Sequence, residues 1–263
     1  MSECLLYSAG LDSFIGKQYL LSIGRKFDCI YFDLETKYSK FEIEKIESLP
    51  LEEGKCPVSV HYDFLKMTSL EKEDAYVPNR NFLLAIMANA LGYNKIWING
   101  SASDRICDNN KRVFDNLSKL LTETRKDYIE ISSPFWDVYK EDMIVWYQSH
   151  IQQTTIDNVV NPAFELCSKT FSCYNPGATK HIVTMAIPYV ISSKFSYSTK
   201  ECLECPACFR KAVSIFRLGT VIPFKNETII KKYENEFRNC IISTPRSNNT
   251  LAYIDALRFL KLL

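Results

Sequence analysis

The sequence predicts an α/β protein in which a doubly wound, mostly parallel sheet is followed by a helical carboxyl-terminal lobe. Short apolar stretches alternate with stretches of helical periodicity up to about residue 160, as in a parallel sheet covered by helices. Small and polar residues follow two of the predicted strands, and parallel sheets bind ligands at the carboxyl ends of their strands. Beyond this region the alternation stops and cysteines cluster at short gaps. We therefore expect two domains, at residues 1–160 and 161–263.

Each predicted strand is short and apolar, and each predicted helix carries apolar residues three and four positions apart. In chain order the predicted strands are 4–7, 27–32, 58–62, 95–100 and 128–131. The predicted helices between and after them are 14–21, 37–48, 82–91, 114–121 and 140–151. In the carboxyl-terminal lobe we expect one helix from residue 209 and two more over 226–238 and 251–263.

Composition narrows the classes of function. The chain has 263 residues, of which 46% are hydrophobic and 24% charged, and its net charge is +1. A protein so close to neutral has no long-range field toward nucleic acid, so we expect no direct nucleic-acid binding. No signal peptide precedes the first strand, and the longest apolar run, 182–191, is too short to span a bilayer. We therefore expect a cytoplasmic protein without a membrane partner.

The turn after the first strand is the strongest candidate for a ligand site. It reads Ser-Ala-Gly-Leu-Asp-Ser over residues 8–13 and leads into the first helix. Gly10 lets the backbone approach a ligand closely, and the free amides of the first helical turn attract anions. No Gly-Lys-Ser/Thr follows, so this is not a Walker A loop. The candidate phosphate-binding residues are Ser8, Ala9, Gly10, Leu11, Asp12 and Ser13.

Three further stretches would lie at the same edge of the sheet. Phe32 ends the second strand, where backbone groups would border a nucleotide. Arg80 stands at the start of a helix in the stretch 77–81, where Asn79 or Asn81 would cap that helix. Its guanidinium suits a phosphate or a carboxylate, and the alternative is a surface arginine at a capping turn. Asp104 follows the fourth strand and would contact a polar ligand, unless 100–105 is an ordinary polar loop.

The cysteines predict a metal site. Cys202, Cys205 and Cys208 are separated by two residues each, a spacing that points thiolates at one centre. Cys173 is the best fourth ligand, with Cys167 and His181 in reserve. Four thiolates leave no open position for water, so the site would be a structural Zn²⁺ site. An iron–sulfur cluster and a set of reduced core cysteines are the alternatives.

Four motifs in this order resemble those of the 7-cyano-7-deazaguanine (preQ0) synthases, a ligase family among the N-type ATP pyrophosphatases. They are Ser-Ala-Gly-Leu-Asp-Ser at 8–13, Val-Pro-Asn-Arg-Asn at 77–81, Thr-Phe-Ser-Cys-Tyr at 170–174 and Cys-x-x-Cys-x-x-Cys-x-Arg at 202–210. The resemblance implies a Rossmann-like, HUP-type domain, a zinc-binding lobe and a homodimer. It also implies that ATP adenylates 7-carboxy-7-deazaguanine, that ammonia gives the amide, and that a second activation gives the nitrile used in queuosine-type modification.

The resemblance also implies roles for individual residues. Ser8, Gly10, Asp12 and Ser13 would hold the phosphates of ATP together with Mg²⁺, and Asp12 would orient the turn or the metal. Substrate would contact Arg80, Asn81 and Asp104. Ser13, Asp12 and Arg80 are therefore the candidate catalytic residues.

Three departures from the family pattern bear on the substrate. Ala9 replaces the first glycine of the loop, which is tolerated if its φ stays negative. The stretch 106–110 differs from the family's usual sequence, and 28 residues separate Cys173 from Cys202, where the family has few. Other forms remain open: a phage enzyme serving DNA modification, an antiviral enzyme that joins the base to a partner protein, or a non-catalytic nucleotide-binding module.

Overall fold

The computed structural model describes residues 2–49, 56–62, 66–72, 77–102, 109–154, 161–186, 194–224, 226–243 and 258. The chain divides into two compact units, Met1–Lys140 and Glu141–Leu263. Asp104 and most of the stretch 106–110 lie outside the described residues. So does the predicted helix over 251–263, except for Arg258, which is helical. The assignment of functional domains at 1–160 and 161–263 stays a prediction.

The first unit is built on a parallel sheet. Its described strands are β1 (Glu3–Leu6), β2 (Asp28–Phe32), β3 (Val58–His61), β4 (Lys95–Trp97) and β5 (Glu130–Ser132). Its described helices are α1 (Leu11–Ser22), α2 (Ser39–Ser48), α3 (Arg80–Ala90) and α4 (Lys111–Arg125), with a 3-10 turn at Thr68–Leu70. The strand order is β3-β2-β1-β4-β5, and every described pair is parallel. The predicted doubly wound sheet is confirmed, with the switch in strand order between β1 and β4.

Helices cover both faces of this sheet because successive strand residues point to opposite sides. On one face Cys4, Ile30 and Phe32 pack with residues of α3 and α4, among them Ala85 and Phe114. On the other face the buried residues of the sheet and of α1 and α2 form a second core: Leu5, Tyr7, Cys29, Tyr31, Leu20 and Ile46. The near-continuous apolar strands that predicted a parallel sheet are therefore buried on both sides.

Close packing beyond the end of β4 depends on Gly100. A Cβ atom at this position would lie 2.2 Å from Cζ3 and 2.8 Å from Cη2 of Trp136. The Trp136 ring in turn stacks on Phe114, with the ring centroids 5.9 Å apart. Gly100 therefore lets an aromatic side chain lie directly on the backbone next to the carboxyl edge of the sheet.

We expect Gly100→Ala to lower the free energy of unfolding by about 1–3 kcal/mol, because the added methyl group displaces an indole ring packed in the core. Urea unfolding followed by fluorescence measures the change. Gly177→Ala is the matched control, since its added Cβ would meet only an ordinary contact of 3.7 Å to a backbone oxygen. Equal unfolding midpoints for the two variants would contradict the packing described.

The second unit combines helices with a β-hairpin. Helix α5 (Lys140–Thr154) begins at the last residue of the first unit, and α6 (Pro162–Lys169), α7 (Pro206–Phe216) and α8 (Glu227–Ser243) follow. Strands β6 (His181–Ala186) and β7 (Lys194–Thr199) pair antiparallel between α6 and α7. The sequence predicted a helical lobe without strands, so the two paired strands within the segment between Cys173 and Cys202 are a correction to that prediction. Among the described helices, none is both long and apolar enough to cross a membrane.

Candidate nucleotide site and metal site

The turn between β1 and α1 is closed by its own serines. The Ser13 hydroxyl donates to the Gly10 carbonyl oxygen at 3.1 Å and accepts from the Ser8 amide at 3.3 Å. The Gly10 amide donates to the Ser8 hydroxyl at 3.4 Å. Gly10 is the N-cap of α1 and, as a glycine, has no side chain that could cap the helix. Because the first amides of a helix have no intrahelical acceptor, the turn presents donors suited to an anion.

Ala9 is the strained residue of this turn. Its φ is +55°, so the condition under which alanine would replace the glycine without cost, a negative φ, is not met. A left-handed conformation costs a residue with a Cβ about 1–2 kcal/mol. The Ala9 methyl group is fully buried, which offsets part of that cost by about 0.8 kcal/mol. Backbone strain of this kind persists where the surrounding structure holds it, and it is found often at ligand sites.

Lys140 is a site residue that the sequence analysis missed. Its Nζ lies 2.9 Å from Oδ2 of Asp12, while Oδ1 of Asp12 is buried and accepts no hydrogen bond from any residue that the structure describes. The lysine neutralises a carboxylate that would otherwise repel phosphate from the turn. The sequence marks Lys140 only as a cation at the start of a helix, where it opposes the helix dipole, and it does not show the carboxylate that pairs with it.

Asn99 joins the two strands at the switch point. Its Nδ2 donates to the Leu6 carbonyl oxygen at 2.9 Å, which ties the chain beyond β4 to the end of β1. A Cβ on Gly16 of α1 would lie only 2.3 Å from Oδ1 of Asn99. The close approach of helix and strand fixes the direction in which the turn enters α1.

The second predicted stretch begins α3 at Arg80. Its Nη1 donates to the Tyr38 hydroxyl at 2.7 Å, and Asn81 follows in the first turn of the helix. Of the two predicted capping residues, Asn79 occupies the N-cap with a φ of +57°, but its side chain makes no capping hydrogen bond, and Asn81 lies inside the helix. Because helices of a doubly wound sheet run antiparallel to the strands, the start of α3 lies at the same edge as the turn after β1.

Phe32 has a smaller part in the candidate nucleotide site than the sequence predicted. It ends β2 at the expected edge of the sheet, but its side chain is 3% exposed and packs in the core. Only its backbone would border a nucleotide. The roles of all predicted site residues in the first unit, including Asp104 outside the described residues, stay predictions.

Four cysteines of the second unit form the predicted cluster. The sulfur atoms of Cys173, Cys202, Cys205 and Cys208 all lie within 4.8 Å of one another. Zinc–sulfur bonds of about 2.3 Å in a tetrahedron place sulfur atoms about 3.8 Å apart, so this donor set fits Zn²⁺. Amides of Asn175 and Cys202 donate to the Cys173 sulfur at 3.3 and 3.2 Å. Among the described residues neither Cys167 nor His181 joins the cluster.

Hydrogen bonds between the thiols of this cluster lower the pKa of two cysteines and raise that of the other two. A hydrogen bond from the Cys173 thiol lowers the pKa of Cys202 to about 7, and the same donor lowers the pKa of Cys205. Hydrogen bonds within the cluster raise the pKa of Cys208. Cys205 is also the N-cap of α7, where the helix dipole favours a thiolate. Four thiols this close cannot all lose their protons, because the thiolates would repel one another. A bound divalent cation would offset that repulsion.

A buried ion pair supports the metal-binding segments. Lys211 of α7 contacts both carboxylate oxygens of Glu201 at 3.0 Å, and the two side chains are 3% and 1% exposed. Glu201 also accepts from the Ser172 amide at 2.7 Å, and Lys211 donates to the Thr170 carbonyl oxygen. Burial alone would lower the pKa of Lys211, but the Glu201 charge outweighs it and the pKa is raised. The pair thus joins α7 to the residues next to Cys173 and Cys202.

We expect Lys211→Met to lower the free energy of unfolding by about 3–5 kcal/mol, because it leaves the Glu201 carboxylate buried without a counter-charge. The double variant Glu201→Gln, Lys211→Met removes both charges and should recover much of that loss. Thermal and urea unfolding of the zinc-loaded protein measure both effects. A single variant as stable as the wild type would show that the pair is not buried as described.

The comparisons with known proteins assign the family. The model of the family described as "Queuosine biosynthesis protein QueC" matches residues 43–217, about two thirds of the chain. The chain belongs to the QueC family. The QueC match includes the motifs at 77–81, 170–174 and 202–210, whereas the turn at 8–13 precedes it.

Two other comparisons add little to the QueC assignment. No curated protein matches the chain. A solved structure described as a predicted subunit of tRNA methyltransferase from Methanocaldococcus jannaschii is 14% identical, with a TM-score of 0.40. That match covers 65% of this chain and 92% of the other.

Membership confirms the family resemblance that the ordered motifs predicted. It makes this chain an ATP-dependent enzyme of the ligase type, related to the preQ0 synthases. The four clustered cysteines could hold the zinc ion that the motif at 202–210 predicted.

Proposed function

We propose that this QueC-family chain converts 7-carboxy-7-deazaguanine and ammonia into 7-cyano-7-deazaguanine at the expense of ATP. The turn at residues 8–13 carries the proposal, because it combines the start of a helix behind a glycine N-cap with an Asp12 whose charge is neutralised by Lys140. Arg80 at the same edge of the sheet offers a second cationic group to a phosphate or a carboxylate. The family match supports the same reaction class.

The first half of the reaction activates a carboxylate. A carboxylate oxygen of the substrate attacks the α-phosphorus of ATP, and pyrophosphate leaves as the acyl adenylate forms. Ammonia then attacks the acyl carbon, the bond to AMP breaks, and the nitrogen loses a proton to give the amide. Here the protein positions the reactants and stabilises charge on the phosphates: the first amides of α1 and Lys140 face the charge that develops.

The second half repeats the activation on the amide. The amide oxygen attacks the α-phosphorus of a second ATP and pyrophosphate leaves. Loss of AMP and of both nitrogen-bound protons then gives the nitrile. Mg²⁺ bound to the nucleotide would neutralise phosphate charge, and Asp12 with its unpaired Oδ1 is the residue placed to hold it.

The cysteine cluster has a structural part in this proposal. Cys173, Cys202, Cys205 and Cys208 would bind Zn²⁺ with a full set of thiolates, which leaves no position for a reacting water molecule. Zinc would therefore stabilise the second unit rather than take part in the reaction.

The direct test is an incubation of the zinc-loaded protein with ATP, Mg²⁺, ammonia and 7-carboxy-7-deazaguanine. We expect AMP, pyrophosphate and a base whose mass corresponds to the amide and then the nitrile. The same incubation without the deazaguanine should release little AMP. A folded, zinc-loaded sample that makes neither product would reject the proposal.

A second candidate function differs from the first only in the group that accepts the activated base. The hairpin β6–β7 occupies the segment where the family has few residues, and Ile182 on it is 75% exposed. Such a surface could receive a partner protein whose amine takes the activated base in place of ammonia. A partner that gains the mass of the acylated base only with ATP present would favour this form. The homodimer that the resemblance implies likewise stays a proposal, which light scattering tests.

A further inference from the structure

The Arg80 guanidinium is held by a buried tyrosine of another element. Its Nη1 donates to the Tyr38 hydroxyl at 2.7 Å, although the two residues lie 42 positions apart in the chain. Arg80 is the first residue of α3, and Tyr38 is the N-cap of α2. Tyr38 is 3% exposed, whereas Arg80 is only half-buried. The hydroxyl therefore holds the guanidinium from the protein side and leaves part of Arg80 accessible to solvent.

Tyr38 lies in a turn that is closed by its own hydrogen bonds. The Thr36 amide donates to the Ser39 hydroxyl at 3.0 Å, and the two hydroxyl oxygens are 2.8 Å apart. The Ser39 amide donates back to the Thr36 carbonyl oxygen at 3.1 Å, and both residues are buried. Because the backbone on either side of Tyr38 is held in this way, the position of its hydroxyl is set before any ligand binds.

The turn before α2 and the start of α3 belong to the edge of the sheet at which ligands bind. The turn follows β2, and the helices of a doubly wound sheet begin beyond the carboxyl ends of the strands. The turn between β1 and α1, with its helical amides, lies at the same edge. Tyr38 thus holds Arg80 at the edge where the proposed reaction would take place.

An arginine without such support would bind an anion less tightly. Its long side chain has many rotamers, and restricting them on binding costs free energy. A hydrogen bond from a charged donor is stronger than one between neutral groups, and a tyrosine has few rotamers of its own. The Tyr38 hydroxyl is therefore suited to restrict the Arg80 guanidinium in the free protein.

We propose that Tyr38 is a positioning residue, whose hydroxyl orients the Arg80 guanidinium toward the carboxylate or phosphate group of a ligand. Because Tyr38 is itself buried, it acts through Arg80 and does not contact the ligand. The inference rests on the proposed function, because it takes Arg80 as the residue that binds an anionic group of the substrate or of ATP.

A double-mutant cycle tests this role. Tyr38→Phe keeps the ring and removes only the hydroxyl, and it is compared with Arg80→Ala, the double variant and the wild type, all zinc-loaded. Formation of labelled AMP gives kcat and KM with 7-carboxy-7-deazaguanine and ATP varied in turn. Calorimetry gives the dissociation constants of 7-carboxy-7-deazaguanine and of a non-hydrolysable ATP analogue for the same four proteins.

We expect Tyr38→Phe to lower kcat/KM about tenfold, and to weaken binding of the ligand that Arg80 contacts. In the Arg80→Ala background the same change should alter kcat/KM less than twofold, because no guanidinium remains to be oriented. A merely structural role would lower kcat/KM equally in both backgrounds. Tyr147→Phe is the matched control, since Tyr147 is also buried and donates to Glu165 at 2.9 Å, and its kcat/KM should stay within twofold of the wild type.

The outcomes separate this inference from the proposed function. Equal losses in both backgrounds, or a Tyr38→Phe variant within twofold of the wild type, overturn the positioning role and leave the ligase proposal standing. Arg80→Ala with wild-type activity overturns it as well. An effect on the deazaguanine alone assigns Arg80 to the substrate carboxylate, and an effect on ATP alone assigns it to phosphate.

A wild type that forms no AMP would reject the ligase proposal by itself. The dissociation constants then decide the role of Tyr38 by the same comparison between the two backgrounds. A wild type that binds neither ligand overturns both the positioning role and the proposed function.

Discussion

Replacing Cys205 by serine is expected to abolish zinc binding and unfold the second unit. Cys205 lies within 4.8 Å of the other three sulfur atoms and is the N-cap of α7, so its loss removes one ligand of four. Binding of a structural zinc contributes on the order of 10 kcal/mol to folding, comparable with the whole stability of a typical domain. No other single substitution considered should lower stability as much.

Zinc content by elemental mass spectrometry and thermal unfolding, with and without a chelator, measure this effect. Cys167→Ser is the matched control, since Cys167 is also buried but lies outside the cluster, and this variant should keep its zinc. Full zinc content with unchanged unfolding in the Cys205 variant would refute the metal assignment. Iron and visible absorption in the wild type would instead identify an iron–sulfur cluster.

Replacing Lys140 by alanine is expected to lower kcat/KM for AMP formation about 10²- to 10³-fold. The variant loses a cation next to the turn that we propose binds phosphate, and it leaves the Asp12 carboxylate without its partner at 2.9 Å. Donors aimed at developing charge usually contribute this much to catalysis. The ion pair is partly exposed, so the free energy of unfolding should change by only about 1 kcal/mol.

Pyrophosphate release with saturating ammonia measures this loss. Lys111→Ala is the control, because Lys111 pairs with Asp115 on an exposed helix surface and should leave turnover unchanged. The double variant Asp12→Asn, Lys140→Ala tests whether the lysine acts only by neutralising Asp12. Turnover of Lys140→Ala within twofold of the wild type would remove Lys140 from the site.

The parts of the fold that local patterns determine could be predicted from the sequence. Strands such as Asp28–Phe32 are short apolar segments buried on both faces, and α3 and α5 show clear helical spacing. The cysteine cluster could also be predicted, because three thiols at two-residue gaps can converge on one centre whatever the rest of the fold is. Cys173 was predicted as the best fourth ligand, and its position in the cluster confirms that choice over Cys167 and His181 among the described residues.

The parts that depend on distant packing could not be predicted. Lys140 reaches Asp12 only because the chain after β5 returns to the edge of the sheet where α1 begins. The positive φ of Ala9 depends on what surrounds its buried methyl group, which no local pattern records. The sequence analysis did not predict the hairpin β6–β7. Alternating apolar and polar residues in one short segment do not show that a second strand pairs with it, so the segment was read as an irregular insertion.

A crystal structure of the protein with a non-hydrolysable ATP analogue and Mg²⁺ tests the central claim most directly. The account predicts that the phosphates lie against the first amides of α1, within hydrogen-bond distance of Ser8 or Ser13 and of Lys140. A nucleotide bound elsewhere, with the turn between β1 and α1 empty, would contradict it.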